Sequence, residues 1–213
     1  MLREIVEKIP DEVIQQDLER YRQRALELGA TDAKVITTDM ILIDERVRAK
    51  CLYPKCTCYG TNVNCPPHAM DLDLVRKVVN NFQYSIFTML KVPSEEIAGP
   101  EVLKKRLEVR ALRKSYEIIA KVEAEANIDG YYLAVAFSAG PCKVVFCPNI
   151  ECSAMVPGQP CRHPLRARSS MSGAGMDSYA MATKVGWDIY PIGVSTPPLE
   201  VPFGLFLGLV LIY

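Results

Sequence analysis

Tyr84-Ser-Ile-Phe-Thr-Met-Leu-Lys-Val92, stopped by Pro93, reads as a β-strand, and the stretch that follows it decides the expected fold. A long helix is predicted from Pro100, a residue favoured in a first helical turn, and Gly130 closes it. Its apolar face runs through Val102, Val109, Leu112, Tyr116, Ile119, Val122 and Ala126. Tyr131 to Phe137 is the next strand. A strand, a helix and a strand in succession imply a right-handed parallel crossover. The expected fold class is therefore α/β, a single-domain mixed, largely parallel sheet of four to six strands with flanking helices and two cysteine-rich loops.

On the N-terminal side, Ile14, Leu18, Tyr21, Ala25 and Leu28 mark a helix over residues 11–28, with Asp11 as its cap and Gly29 as its stop. Ala33 to Thr37 and Met40 to Val47 read as strands, the second broken by Asp44-Glu45. Asp71 is placed to cap a helix through Leu72, Val75, Val78 and Val79, and a shorter helix is predicted over Met176 to Val185. The apolar C-terminus, Leu199 to Tyr213, is shorter than the roughly 20 residues a membrane helix needs. Pro202, Gly204 and Gly208 interrupt it, so a buried terminal strand and no membrane span are expected. One domain over residues 1–213 accounts for all of these elements.

Of the 213 residues, 49% are hydrophobic and 23% charged, the balance of a folded protein. Lys+Arg and Asp+Glu are both 25, so no overall field attracts nucleic acid, and no such partner is expected. The charged start, Met1-Leu-Arg-Glu-Ile-Val-Glu-Lys-Ile-Pro10, lacks the apolar stretch of a secretory signal, which points to the reducing cytoplasm.

Eight cysteines fall into two groups of four without a CxxC pair: Cys51-x4-Cys56-x-Cys58-x6-Cys65, followed by Pro66-Pro67, and Cys142-x4-Cys147-x4-Cys152-x8-Cys161. Loops 51–65 and 142–161 both follow predicted strand ends, where open α/β sheets tend to carry their sites. Four thiolates close a zinc site or ligate an iron–sulfur cubane. Disulfides are disfavoured by the expected compartment, and core thiols belong on apolar faces, not among Pro, Gly, Lys, Thr and Asn. Zinc sites commonly pair cysteines two to four residues apart, whereas Cys56 and Cys58 have one residue between them and the other gaps are wide. That spacing favours iron–sulfur and leaves zinc as the alternative.

Other residues gather around the cysteines. Arg162-His163-Pro164-Leu165-Arg166-Ala167-Arg168 follows Cys161, and cations such as Arg162 and Arg166 would offset the negative charge of a thiolate-held cluster; a solvated basic face is the plainer reading. Gly173 and Gly175, in Ser172-Gly-Ala-Gly-Met176, would let backbone amides converge on an anion, against the plainer reading of a capped turn. His68 and His163 each lie near the cysteine that ends a group and are candidates as ligands or proton donors, although loop histidines are more often simply solvated. No Ser-His-Asp arrangement or P-loop is evident.

Lys50-Cys51 through Cys56, Tyr59-Gly60, Cys65-Pro66-Pro67, Gly140-Pro141-Cys142, Pro160-Cys161-Arg162-His163-Pro164 and Gly175-Met176-Asp177 resemble a family of small prokaryotic proteins. That family is catalogued as predicted metal-binding proteins, domain of unknown function 2284. The resemblance runs from Arg46 to the C-terminus and implies a cysteine-ligated metal centre, usually presumed to be iron–sulfur, with no established reaction. It is carried at every cysteine except Cys58, where the family does not require one. Three thiolates on the first cluster would leave an iron open to substrate, which separates an electron carrier from an enzyme with a Lewis-acidic iron. The expected protein holds one or two [4Fe-4S] clusters and passes single electrons to a redox partner protein or a small molecule. A zinc-stabilised scaffold and an open-iron enzyme are the competing classes.

Overall fold

The computed structural model describes residues 3–105, 108–193 and 195–213. Its sheet has four strands, β1 (Asp32–Thr37), β2 (Tyr84–Val92), β3 (Val135–Phe137) and β4 (Gly204–Leu211), in the order β1-β2-β4-β3. Every pairing is antiparallel. The expectation of a largely parallel sheet is thus overturned. β4 enters between β2 and β3, with Ser85 opposite Leu211 on one edge and Val135 opposite Leu211 on the other. Strands β2 and β3 therefore run in the same direction without ever pairing.

The reason lies in β4 itself. Leu207, Leu209 and Leu211 face one side of the sheet, and Phe206 and Val210 the other, all buried. Each such side chain contributes about 1.5–3 kcal/mol when buried. At an edge with one face wet, half of that would be lost, so the strand without polar side chains takes the middle.

Seven helices among the described residues cover both faces. Helix α1 (Asp11–Glu27) and the long α5 (Glu108–Ile128) pack Ile14, Leu18, Tyr21, Leu112, Tyr116, Ile119 and Val122 against Ile86, Ala136 and Val210. On the other face α3 (Leu72–Asn80) and α7 (Ser178–Lys184) bring Val75, Val79 and Met181 to Phe87, Phe137 and Leu209. Three shorter helices are α2 (Glu45–Ala49), α4 (Pro100–Lys105) and α6 (Cys142–Phe146). The helix predicted from Pro100 to Gly130 covers α4 and α5, and its residues 106 and 107 lie outside the described residues. Among the described residues no helix is long and apolar enough to cross a membrane.

Local chemistry corrects several boundaries. The strand expected over Met40 to Val47 is absent: Asp44 accepts a hydrogen bond from the Arg46 amide and caps α2, leaving only a bridge between Ile43 and Met176. The first cysteine group therefore follows a helix, not a strand. The strand expected from Tyr131 shrinks to three residues because Tyr131 turns inward and donates its hydroxyl to Asp17. Pro10, not Asp11, precedes the first turn of α1, and it offers no side-chain cap. Asp71 caps α3 as expected, through the Leu74 amide.

Asp17 is the polar tie of this face, accepting from Arg3, Arg20 and Tyr131. Burial works to raise its pKa, but these donors outweigh burial and hold it below the ordinary aspartate value. A carboxylate with a depressed folded pKa stabilises the fold above its unfolded pKa of about 3.9 and loses that contribution as pH falls. Asp17→Asn should therefore flatten the acid limb of the stability–pH curve below pH 4; an unchanged limb would contradict the role given to these donors.

Gly208 faces α5, where an added Cβ would stand 2.5 Å from Ile119 Cγ2 and 2.9 Å from Thr88 Oγ1. Gly208→Ala should cost about 1–3 kcal/mol by overpacking. Urea unfolding reads this as a lower midpoint at unchanged slope, and an unmoved midpoint would contradict the close approach of α5 to β4.

Candidate metal centre

The second cysteine group starts where the sheet ends. After Phe137, Ser138 bridges to Ser170, and the chain turns through Gly140-Pro141 into α6, whose first residue is Cys142. Tyr116 of α5 pins this turn: its Oη lies 2.6 Å from the Gly140 carbonyl oxygen and 3.1 Å from that of Arg168. Cys142, Cys147, Cys152 and Cys161 line one cavity of about 20 Å³, together with Asn62, Asn64, Phe146 and His163. Cys142 and Cys152 are buried, and Cys147 and Cys161 partly so.

The first group is more open. Cys56 is exposed, Cys51 intermediate, and Cys58 and Cys65 buried. Its loop is tightly wound: the Cys51 amide donates to Arg48 O at the end of α2, and the Cys56 amide to Cys51 O. Two amides donate directly to sulfur, Cys58 N to Cys56 Sγ at 3.5 Å and His163 N to Cys161 Sγ at 3.3 Å. Such donors stabilise negative charge on sulfur and tune a metal held there.

The two groups adjoin. Asn62, 1% exposed, accepts from Cys142 Sγ at 3.8 Å, while Asn64 Nδ2 donates to the same sulfur at 3.4 Å. Asn62 also contacts the Cys65 thiol. Burial pushes Cys65 up to about 12, and the neighbouring Cys58, Cys142 and Cys56 push it the same way. Burial likewise pushes Cys142 up to about 11, with Cys152, Cys161 and Cys147 adding to the rise. Burial also raises Cys51 and Cys58, each assisted by Cys56. Burial is the main cause of these rises and the neighbouring thiols add to it, and a cation bound at the sulfurs would favour their ionised form against both.

All eight cysteines are free thiols, so no disulfide competes for them. The donor chemistry therefore fits a thiolate-held metal. Among the described residues, however, no three His, Cys, Asp or Glu side chains converge tightly enough to hold one metal ion.

The remaining predicted residues part ways. Arg162 is exposed and donates to Glu151 O, and Arg166 lies 5.2 Å over the Phe146 ring, so both stand at the rim of the second group. Arg168 is committed elsewhere, to Glu123 at 2.6 Å. His163 lines the cavity and stacks on Phe146 at 5.3 Å, whereas His68 is exposed in the loop after Cys65. The amides of Gly173 and Gly175 are engaged within their own turn, with Ser170 Oγ and Ser172 O, which leaves the expected anion seat without those donors. Gly175 serves packing: its φ is +75°, and a Cβ would stand 2.5 Å from Leu72 Cδ2. Asn62, Asn64 and Phe146 were not singled out in the sequence, although two asparagines just before Cys65 were the visible signal.

A family model described as predicted metal-binding protein, domain of unknown function 2284, matches residues 34–212. The chain belongs to that family, and the matched segment begins within β1 and takes in both cysteine groups. No curated protein and no solved structure matches the chain.

Arg168 and Glu123 form a pair with side chains 21% and 6% exposed, and Glu123 also accepts from the Ala136 amide of β3. Arg168→Met would leave a buried carboxylate without its cation, at a cost of about 3–5 kcal/mol. Thermal or urea unfolding should show that loss, while Arg162→Ala at the rim should stay near wild type. Equal effects from both would contradict the division drawn here.

Proposed function

We propose that Cys51, Cys56, Cys58 and Cys65, and Cys142, Cys147, Cys152 and Cys161, hold up to two [4Fe-4S] clusters, and that the protein passes single electrons to a partner protein or a small molecule. One observation carries this reading: two separate quartets of free thiols are brought side by side through Cys65, Asn62 and Cys142. A cluster supplies a reversible one-electron couple whose potential depends on charge, hydrogen bonds to sulfur and exposure to water. The chain's own residues act on each of these. Asn64 and the amides of Cys58 and His163 donate to sulfur, Phe146 walls off water, and Arg162 and Arg166 place cations at the rim. Eight free thiols also accord with a reducing compartment such as the cytoplasm.

A second reading has its own support. The second-group cavity of about 20 Å³ is room for little more than one water-sized body, which suits a single zinc ion better than a polynuclear core. Under that reading the metal contributes folding energy and the protein is a scaffold.

Protein purified without oxygen separates the two. The iron–sulfur reading predicts a brown chain that releases iron and inorganic sulfide in near-equal amounts, with both reduced when Cys142 is replaced by Ser. A colourless chain holding stoichiometric zinc would contradict it. Within the iron–sulfur reading, Cys58→Ser should disturb the first cluster if that cluster has four thiolates. An unchanged spectrum would shift the first group to three ligands and an open iron.

A further inference from the structure

The two cysteine loops are interleaved, each lining a cavity beside the other's sulfurs. Asn62, Val63 and Asn64 belong to the first loop, yet they wall the small cavity that holds Cys142, Cys147, Cys152 and Cys161. In return Lys143, Val144 and Pro148 of the second loop share a cavity of about 310 Å³ with Thr57, Cys58 and Thr61 of the first. At the crossing lies Asn62, 1% exposed. Its Oδ1 accepts from the Asn64 amide at 3.0 Å and from the Cys142 thiol at 3.8 Å, and its side chain also contacts the Cys65 thiol. The Cys65 amide in turn donates to Asn62 O at 3.3 Å. One side chain thus touches a sulfur of each group.

Both loops are poor in regular structure. Residues 51–70 contain no helix or strand, and beyond α6 the second loop has a single 3₁₀ turn, Ser153–Met155. In such segments the free energy of metal binding is in large part free energy of folding. Residues 62–64 serve both groups, so the entropy of ordering them is lost once, at whichever group fills first. The other group then meets a wall already in place and binds its metal more tightly. Like charge on Cys65 and Cys142 opposes this, but a bound cation offsets the charge on its own sulfurs.

We propose that the two cysteine groups load with metal interdependently, and that Asn62 is the positioning residue that couples them. Filling either group favours filling the other by about tenfold, within the range of about 5–150-fold typical of linked sites. This rests on the reading that the thiols hold metal, and it holds for iron–sulfur clusters and for zinc alike.

The test uses the full chain purified without oxygen, alkylated with iodoacetamide and mapped by mass spectrometry, so that each cysteine reports separately. Metal-bound thiolates are protected, and a sample stripped with a chelator gives the unprotected rate. Cys147→Ser should speed alkylation of Cys51 and Cys56 about tenfold, and Cys56→Ser should do the same at Cys147 and Cys161. Asn62→Ala, which removes no sulfur, should speed all four, yet after stripping it should react like stripped wild type. Loosened structure alone would speed the stripped variant as well, and that result would overturn the role given to Asn62. Cys56 fully protected in Cys147→Ser, with Cys147 fully protected in Cys56→Ser, would overturn the coupling, and these two variants decide it without Asn62→Ala if that chain does not fold. Wild type protected by metal but with uncoupled groups contradicts this inference alone. Wild type alkylated at one rate with and without chelator contradicts the metal reading beneath it.

Discussion

From Leu209 to Leu211 the C-terminal strand has no free side: β2 bonds one edge, β3 bonds the other, and helices close both faces. Everything else in the fold is arranged around that closure. Because β4 fills the gap, β3 is held at a distance from β2 and ends at Phe137, beside the buried Met171 and Met176. Because α5 must lie flat on Gly208, its Tyr116 comes over the turn at Gly140 and orients the start of α6. The position of Cys142 is thus a consequence of how the last strand packs, although the two are far apart in the chain.

The same closure explains why two loops with unrelated spacing share one neighbourhood. The first group is anchored from below by Arg48, whose guanidinium donates to Met70 O and Gly173 O and so ties α2 to the turn after Ser172. The second is anchored by Tyr116 and by the Ser138–Ser170 bridge. Between them the amides of buried Asn62 and half-buried Asn64 are satisfied by sulfur and by neighbouring loop groups, Asn64 Oδ1 accepting from the Ser169 hydroxyl. Buried amides without such partners would be costly, so they cement the contact between the groups. Exposure then grades from Cys142 and Cys65 inside to Cys56 outside, which places the first group toward solvent and the second against the core.

Much of this was legible in the chain. The helical periodicity of α1, α3 and α5 needed only side chains three and four residues apart, and the Asp71 cap is local chemistry. The two quartets and the family likeness also stood in plain view. What failed was non-local. A strand, a long helix and a strand do leave the two strands running the same way, but nothing within residues 84–137 reveals that residues 204–211 will come between them. The clue was Leu205 to Tyr213 itself, a run without polar side chains that suits only a strand covered on both faces. At Gly173 and Gly175 the glycines marked tight packing and a left-handed turn, and only the hydrogen-bond partners of their amides could distinguish that from an anion seat. Arg168 looked like part of one basic run, yet its partner is Glu123, which lies on another element.

The central claim is that sulfur atoms from the two loops hold metal together, and X-ray absorption at the metal edge of the intact protein tests it most directly. The account predicts a nearest shell made of sulfur alone, with iron neighbours beyond it, and loss of that iron shell when the cysteines on either side of Asn62, Cys65 and Cys142, are both replaced. A nearest shell of oxygen and nitrogen would contradict it.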